Sequence, residues 1–136
     1  MATYKKFEDL PIWQEARAFS KRIFEISKKG EFAKEYRLCS QIHASSGSIM
    51  DNIAEGFEKE NNKEFIQFLY TSKGSCGEVR SQLHRANDVG FISDEEHKLY
   101  IDKVLQMSKS ISNFIHYLRN LVYPVLAIFE FKSLNL

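Results

Sequence analysis

Residues 41–57 read Gln-Ile-His-Ala-Ser-Ser-Gly-Ser-Ile-Met-Asp-Asn-Ile-Ala-Glu-Gly-Phe. Leu38, Ile42, Ile49 and Ile53 recur at helical spacing, so one stripe of this stretch faces a core. Between them stand Ser45, Ser46, Gly47 and Ser48. A solitary surface helix gains nothing from these residues, because serine and glycine both weaken it. A helix that other helices approach closely can use them. The stretch therefore predicts a packed bundle helix over 33–57.

Working outward, the flanking segments show the same periodicity. A first helix is predicted over 10–29. Asp9 and Pro11 supply helix-start chemistry, Gly30 caps the end, and the stripe is Ile12, Ala16, Phe19, Ile23 and Ile26. Trp13 and Phe24 widen that apolar face on one side. After the polar turn at 58–62, where Asn61 or Asn62 can cap, a third helix is predicted over 62–89, ended by Gly90. Its stripe is Phe65, Phe68, Leu69, Ser72, Cys76, Val79, Leu83 and Ala86. Ser93 and Glu96 form a capping-box pattern opening a fourth helix over 94–120, with Tyr100, Val104, Met107, Ile111, Phe114, Ile115 and Leu118 on its stripe. No segment before the C-terminal tail alternates with a period of two. The predicted fold is all-α, an antiparallel up-down-up-down four-helix bundle, because short connections make sequential helices antiparallel.

This gives one domain over 1–120 and an apolar extension over 121–136, where Pro124 stops or restarts the helix. The extension is too apolar to be left in water, so it is expected to bury itself on its own bundle or on another chain. The fold-back near residue 59 sets a register between the second and third helices. Ser45 and Ser46 should face Ser72 and Lys73, Ala44 should face Gly74, Cys39 should neighbour Cys76, and Gln41 should reach Glu78.

The 136 residues carry 19 Lys and Arg against 18 Asp and Glu, a net charge of +1. That balance excludes a strongly polyanionic or polycationic protein and leaves room for a local basic patch. Two cysteines are too few for a disulfide framework. With no cleavable apolar leader and no run of roughly 20 apolar residues, a cytoplasmic protein without a membrane span is expected.

The polar residues offer little chemistry. Gln41, Ser48, Asn52 and Glu55 form one stripe on the second helix. With Ser75 and Glu78 opposite, Gln41, Asn52, Glu55, Ser75 and Glu78 are read as a structural network. A catalytic reading centred on Glu55 and Glu78 lacks a histidine, a cysteine or a paired carboxylate at acid–base geometry, so no catalytic residue is assigned and no enzyme is expected. Cys39, Cys76 and the scattered His43, His84, His97 and His116 show no metal-ligand spacing, and neither metal nor cofactor is expected. Tyr70, Gly74, Gly77 and Ser81 lie at i, i+4, i+7 and i+11, opposite the core stripe of the third helix. Glycine inside a helix costs about 0.5–1 kcal/mol relative to alanine, so this face is expected to pack against another subunit. Arg17, Lys21 and Lys28 share an outward side of the first helix beside Phe24, and Arg80 and Arg85 project from the third. Such cations beside aromatics can hold phosphates and stack bases, which makes these five the candidate nucleic-acid contacts.

As a set, several motifs resemble the 23S rRNA-intervening-sequence family of four-helix bundles. They are Asn52-Ile-Ala-Glu-Gly56 preceded by Gln41 and Ser48-Ile49, Leu10 with Trp13 and Ala16, Glu64-Phe65, Gly74-Ser75 followed by Glu78, and Gly90-Phe91-Ile92. The resemblance spans about residues 7–120. It implies a left-handed bundle, assembly as a homopentameric ring, and no enzymatic activity. Some members are encoded within bacterial rRNA genes. A related branch serves diversity-generating retroelements, binding reverse transcriptase and nucleic acid through a basic barrel. Where members often carry arginine after the residue corresponding to Gln41, this chain has His43 and Ala44. The expected function is a non-enzymatic oligomeric scaffold that binds RNA, DNA or a nucleoprotein through basic helix faces. The alternative is a protein-interaction module with no nucleic-acid role, using the tail and the outer side of the first helix.

Overall fold

The computed structural model describes residues 4–124. Four helices make up the fold: α1 (Pro11–Ser27), α2 (Tyr36–Glu58), α3 (Asn62–Asp88) and α4 (Asp94–Val122). Single 3-10 turns at Phe7–Asp9 and Phe32–Lys34 precede α1 and α2. The described residues contain no strand. Each helix packs against its neighbours in sequence and α1 also meets α4, which closes an antiparallel four-helix bundle. The broadest contact joins α2 to α3, and α1 against α4 is the sparsest of the four.

The expected stripes form the core. Ile23 of α1, Ile42, Ile49 and Ile53 of α2, Leu69, Val79 and Leu83 of α3, and Met107, Ile111 and Leu118 of α4 are all fully buried. The ends follow local chemistry. Asn61 accepts hydrogen bonds from the N–H groups of Lys63 and Glu64, satisfying two of the donors that a helix start leaves unpaired. Ser93 and Glu96 form the reciprocal capping box. Gly30 and Gly90 take positive φ, at 53° and 80°, in the two connections at one end of the bundle, a conformation that glycine adopts without steric cost.

Several boundaries differ from the expected ones. Asp9 lies in the first 3-10 turn, and α1 opens at Pro11 with Leu10 as its uncapped flank. Its last residue is Ser27, ahead of the turn that Gly30 makes. The second helix starts at Tyr36, because 32–34 form the 3-10 turn that drives Phe32 to complete burial. There Phe32 stacks on Phe91, centroids 5.5 Å apart, so the α1–α2 and α3–α4 connections are joined across that end. α4 continues to Val122 and Pro124 follows, as the missing proline N–H requires. The tail from 125 onward, including the segment expected to bind a partner, lies outside the described residues.

The register between α2 and α3 differs from the expected one. Ser72 donates to the Ile49 carbonyl (2.7 Å), Ser75 donates to the Ser48 hydroxyl (3.0 Å), and Gln82 reaches Ser45 (3.0 Å). The chain reverses through Lys59–Glu60–Asn61, later than residue 59, with Glu60 at a φ of 55°. That delay shifts the pairing by about one turn near the reversal, and the long Gln82 and Arg85 side chains extend it further along α2. Cys39 is therefore level with the last turns of α3, roughly 11 Å along the helix from Cys76. Its thiol donates to the Phe32 carbonyl (3.0 Å), with the Ser27 carbonyl 3.5 Å away. Cys76 is buried in the core, and burial pushes its pKa up to about 12, which keeps the thiol protonated and unreactive.

Candidate functional site

α2 and α3 meet through two kinds of group. Near the reversal, Gly56 is buried under α3. A Cβ built on it would lie 2.7 Å from the Phe68 Cβ and 2.9 Å from the Phe65 Cδ1. Only hydrogen fits there, so the glycine at the end of Asn52-Ile-Ala-Glu-Gly56 is the closest-packed point of the seam. Gly47, inside the serine run, has nothing within 4 Å of such a Cβ. The close approach expected at 45–48 is present, with Ser45 and Ser46 buried and Ser75 bonding Ser48 across the seam, and Gly56 extends it toward the reversal.

Farther along, the seam is polar. The Asn52 amide donates to the Ser48 carbonyl (2.8 Å) and hydroxyl (2.9 Å), and that hydroxyl also receives Ser75. Gln82 is buried among the apolar stripe of α3 and donates to Ser45, whose own hydroxyl donates to the Gln41 carbonyl (2.9 Å). The Gln41 side-chain carbonyl accepts from the Arg85 guanidinium (3.2 Å). The structure thus unites Asn52 and Ser75 as expected and pairs Gln41 with Arg85 in place of Glu78. Glu55 and Glu78 are exposed and have no partner among the described residues. They fall outside the network because their angular positions, one residue before Gly56 and one before Val79, put them on the solvent side of each buried stripe. Ser45, Ser72 and Gln82 join the network without having been expected in it. A glutamine between Val79 and Leu83, at core spacing on α3, is the sequence signal for one of them.

The outward face of α3 is different. Tyr70, Gly74, Gly77 and Ser81 are all exposed, and no atom lies within 4 Å of a Cβ placed on Gly74 or Gly77. No neighbouring helix packs on either glycine, and Gly77 borders the α3–α4 groove with Val104 and Ser108.

The basic residues occupy separate surfaces. Arg17 and Lys21 are exposed along one stripe of α1, and the exposed Lys28 follows at its C-cap. The Arg17 guanidinium lies 5.5 Å from the Trp13 ring centroid and the Lys28 ammonium 4.7 Å from that of Phe24, both within cation–π range. Trp13 is buried, whereas Phe24 is 51 % exposed and presents half its ring to solvent. On its inner side Phe24 meets the His43 ring at 5.1 Å. His43 Nε2 and the Ser27 hydroxyl are hydrogen-bonded, and the same hydroxyl reaches the Phe24 carbonyl (2.9 Å). Burial, with Lys28 nearby, holds the His43 pKa below the ordinary imidazole value. Arg80 borders the α3–α4 groove beside Lys73 and Cys76. Arg85 faces α2 and edges a cleft of about 390 Å³ with Arg37, Asp88 and Phe91. α1 and α3 are diagonal in the bundle, so the five candidate cations do not form one patch.

These features define a small helical bundle whose organised polar groups serve mainly its own packing, with a cationic, aromatic stripe on one outer helix. Among the described residues no helix is long and apolar enough to cross a membrane. The model of the family described as 23S rRNA-intervening sequence protein matches residues 8–113, and the chain belongs to that family. The chain is also similar to a crystal structure from Bacteroides thetaiotaomicron, that of a protein of unknown function from the S23 ribosomal protein family. Identity is 20 %, the TM-score is 0.70, and the alignment covers 76 % of this chain and 97 % of the other. That likeness establishes a shared fold. No curated protein matches the chain.

Proposed function

We propose that the protein is a non-enzymatic, cytoplasmic helical scaffold that binds single-stranded nucleic acid through the outer face of α1. The observation that carries this reading is the half-exposed Phe24 ring with the Lys28 ammonium 4.7 Å from its centroid, on the same stripe as Arg17 and Lys21. An exposed aromatic flanked by cations offers a base a surface to stack on and the phosphates a charge to meet. Arg80 and Arg85 stand apart from this stripe and are secondary contacts at most.

The test is retention of a fluorescent single-stranded RNA across a salt series. Arg17→Ala, Lys21→Ala and Lys28→Ala combined should weaken binding and lower the salt slope by about 0.7 for each phosphate no longer neutralised. Phe24→Ala should weaken binding by about 1–3 kcal/mol and leave the slope unchanged. Unchanged retention in the triple variant at low salt defeats the proposal.

A second reading concerns assembly. The uncovered Gly74 and Gly77 stripe favours a homo-oligomer packed through the outer face of α3. The family resemblance suggests a pentamer, which would repeat the α1 stripe around a ring and raise its avidity. Sedimentation at micromolar concentration tests this directly, and a monomer there would exclude it.

A further inference from the structure

Neither the nucleic-acid reading nor the packing of the bundle uses the two histidines where α3 gives way to α4. His84 lies on the outer side of α3 and His97 in the first turns of α4. His84 Nδ1 and His97 Nε2 are 2.9 Å apart, with the rings inclined at 60°. The short connection between the helices fixes this meeting. Asn87 donates to the Asp94 carboxylate (3.0 Å) and the Ile92 carbonyl (3.4 Å), and the Phe91 N–H bonds the Ala86 carbonyl (2.9 Å). Both imidazoles thus come from rigid helices held in register, which is what a preorganised ligand pair requires.

We propose that His84 and His97 form a two-imidazole site for a divalent copper or nickel ion. Metal–nitrogen bonds of about 2.0–2.1 Å meeting at a right angle place their nitrogens about 2.9 Å apart, the separation of adjacent positions in square-planar or octahedral coordination. A tetrahedral ion would need them wider. One N–H···N hydrogen bond joins the facing nitrogens in the metal-free pair. Metal binding breaks it, and the proton moves to the far nitrogen of the same ring, leaving both facing lone pairs to the ion. Asp94, Glu95 and Glu96 in the first turn of α4 supply a negative field. Of the nearby cations, Lys98 pairs with Asp102 (2.9 Å) and Arg85 with Gln41, and Arg80 lies one turn before His84 on α3. No group of three or more His, Cys, Asp or Glu gathers among the described residues, so water completes the coordination sphere.

The full chain, stripped with chelator, is titrated with nickel chloride or copper sulfate in a non-coordinating buffer by calorimetry. One ion per chain is expected, with affinity falling roughly tenfold or more in His84→Ala and in His97→Ala. A His43→Ala/His116→Ala variant should bind as the parent does. Equal affinity in the His84 variant overturns the site. The unsubstituted chain gives an independent readout. Substoichiometric Cu²⁺ should broaden the His84 and His97 ring resonances first, and first broadening at His43 or His116 overturns the proposal as well.

Discussion

Gly56 and the pair Gly74 and Gly77 are all helical glycines in one bundle, and they stand in opposite surroundings. At Gly56 the backbone of α2 is pressed under Phe65 and Phe68, and a single methyl would collide at 2.7 Å. At Gly74 and Gly77 a methyl would meet nothing. Helix propensity disfavours all three by similar amounts, so sequence periodicity treats them alike. The energetic reason differs. The first glycine is required by contacts inside the chain. The other two weaken α3 with no return inside the chain, and any compensation must come from outside it.

Substitutions can break that contrast. Gly56→Ala should destabilise the bundle by about 1–3 kcal/mol through overpacking, despite the better helix propensity of alanine. Urea unfolding measures this, and a stabilised variant would mean that α3 is free to move off α2. Ser45→Ala leaves the buried Gln82 amide without its acceptor, and the Gln82 carbonyl oxygen already lacks a partner among the described residues. A loss of about 1–3 kcal/mol is expected. Replacing both polar groups, as Ser45→Ala with Gln82→Leu, should recover much of it.

On the outer face the sign reverses. Gly74→Ala and Gly77→Ala should each stabilise the isolated chain by about 0.5–1 kcal/mol. If another subunit packs there, the same variants should lower the sedimentation mass while raising the stability of the dissociated chain. The smallest effect is expected where α1 meets α2. His43 is held below the ordinary imidazole value of 6.5 by burial, with Lys28 nearby. The unfolded chain then binds the proton more readily than the folded one. Its contribution is fully present above pH 6.5 and is lost as the pH falls through the lower folded value. Thermal melting across that interval should show a decline that His43→Gln reduces.

Much of the seam could be read without coordinates. The apolar stripes of all four helices, the Asn61 cap and the Ser93–Glu96 box follow from spacing and local hydrogen-bonding chemistry, which act within a few residues. Register did not, because a delay in the reversal point propagates along the whole of both helices. That delay separated Cys39 from Cys76 and gave Gln41 to Arg85. The basic residues were legible one by one. That α1 and α3 lie diagonally, so that Arg80 and Arg85 cannot join Arg17, Lys21 and Lys28, depends on the order in which helices pack around a core.

Family membership, helix number and core composition are thus properties of the sequence itself, since periodicity and capping are local and the motif set is specific. Three features were decided only in the tertiary structure. They are the burial of Gly56 under α3, the Ser45–Gln82 bond in the polar part of the α2–α3 seam, and the meeting of His84 with His97. Each joins residues distant along the chain, and distance across a packed interface depends on register and side-chain reach, which no local pattern encodes.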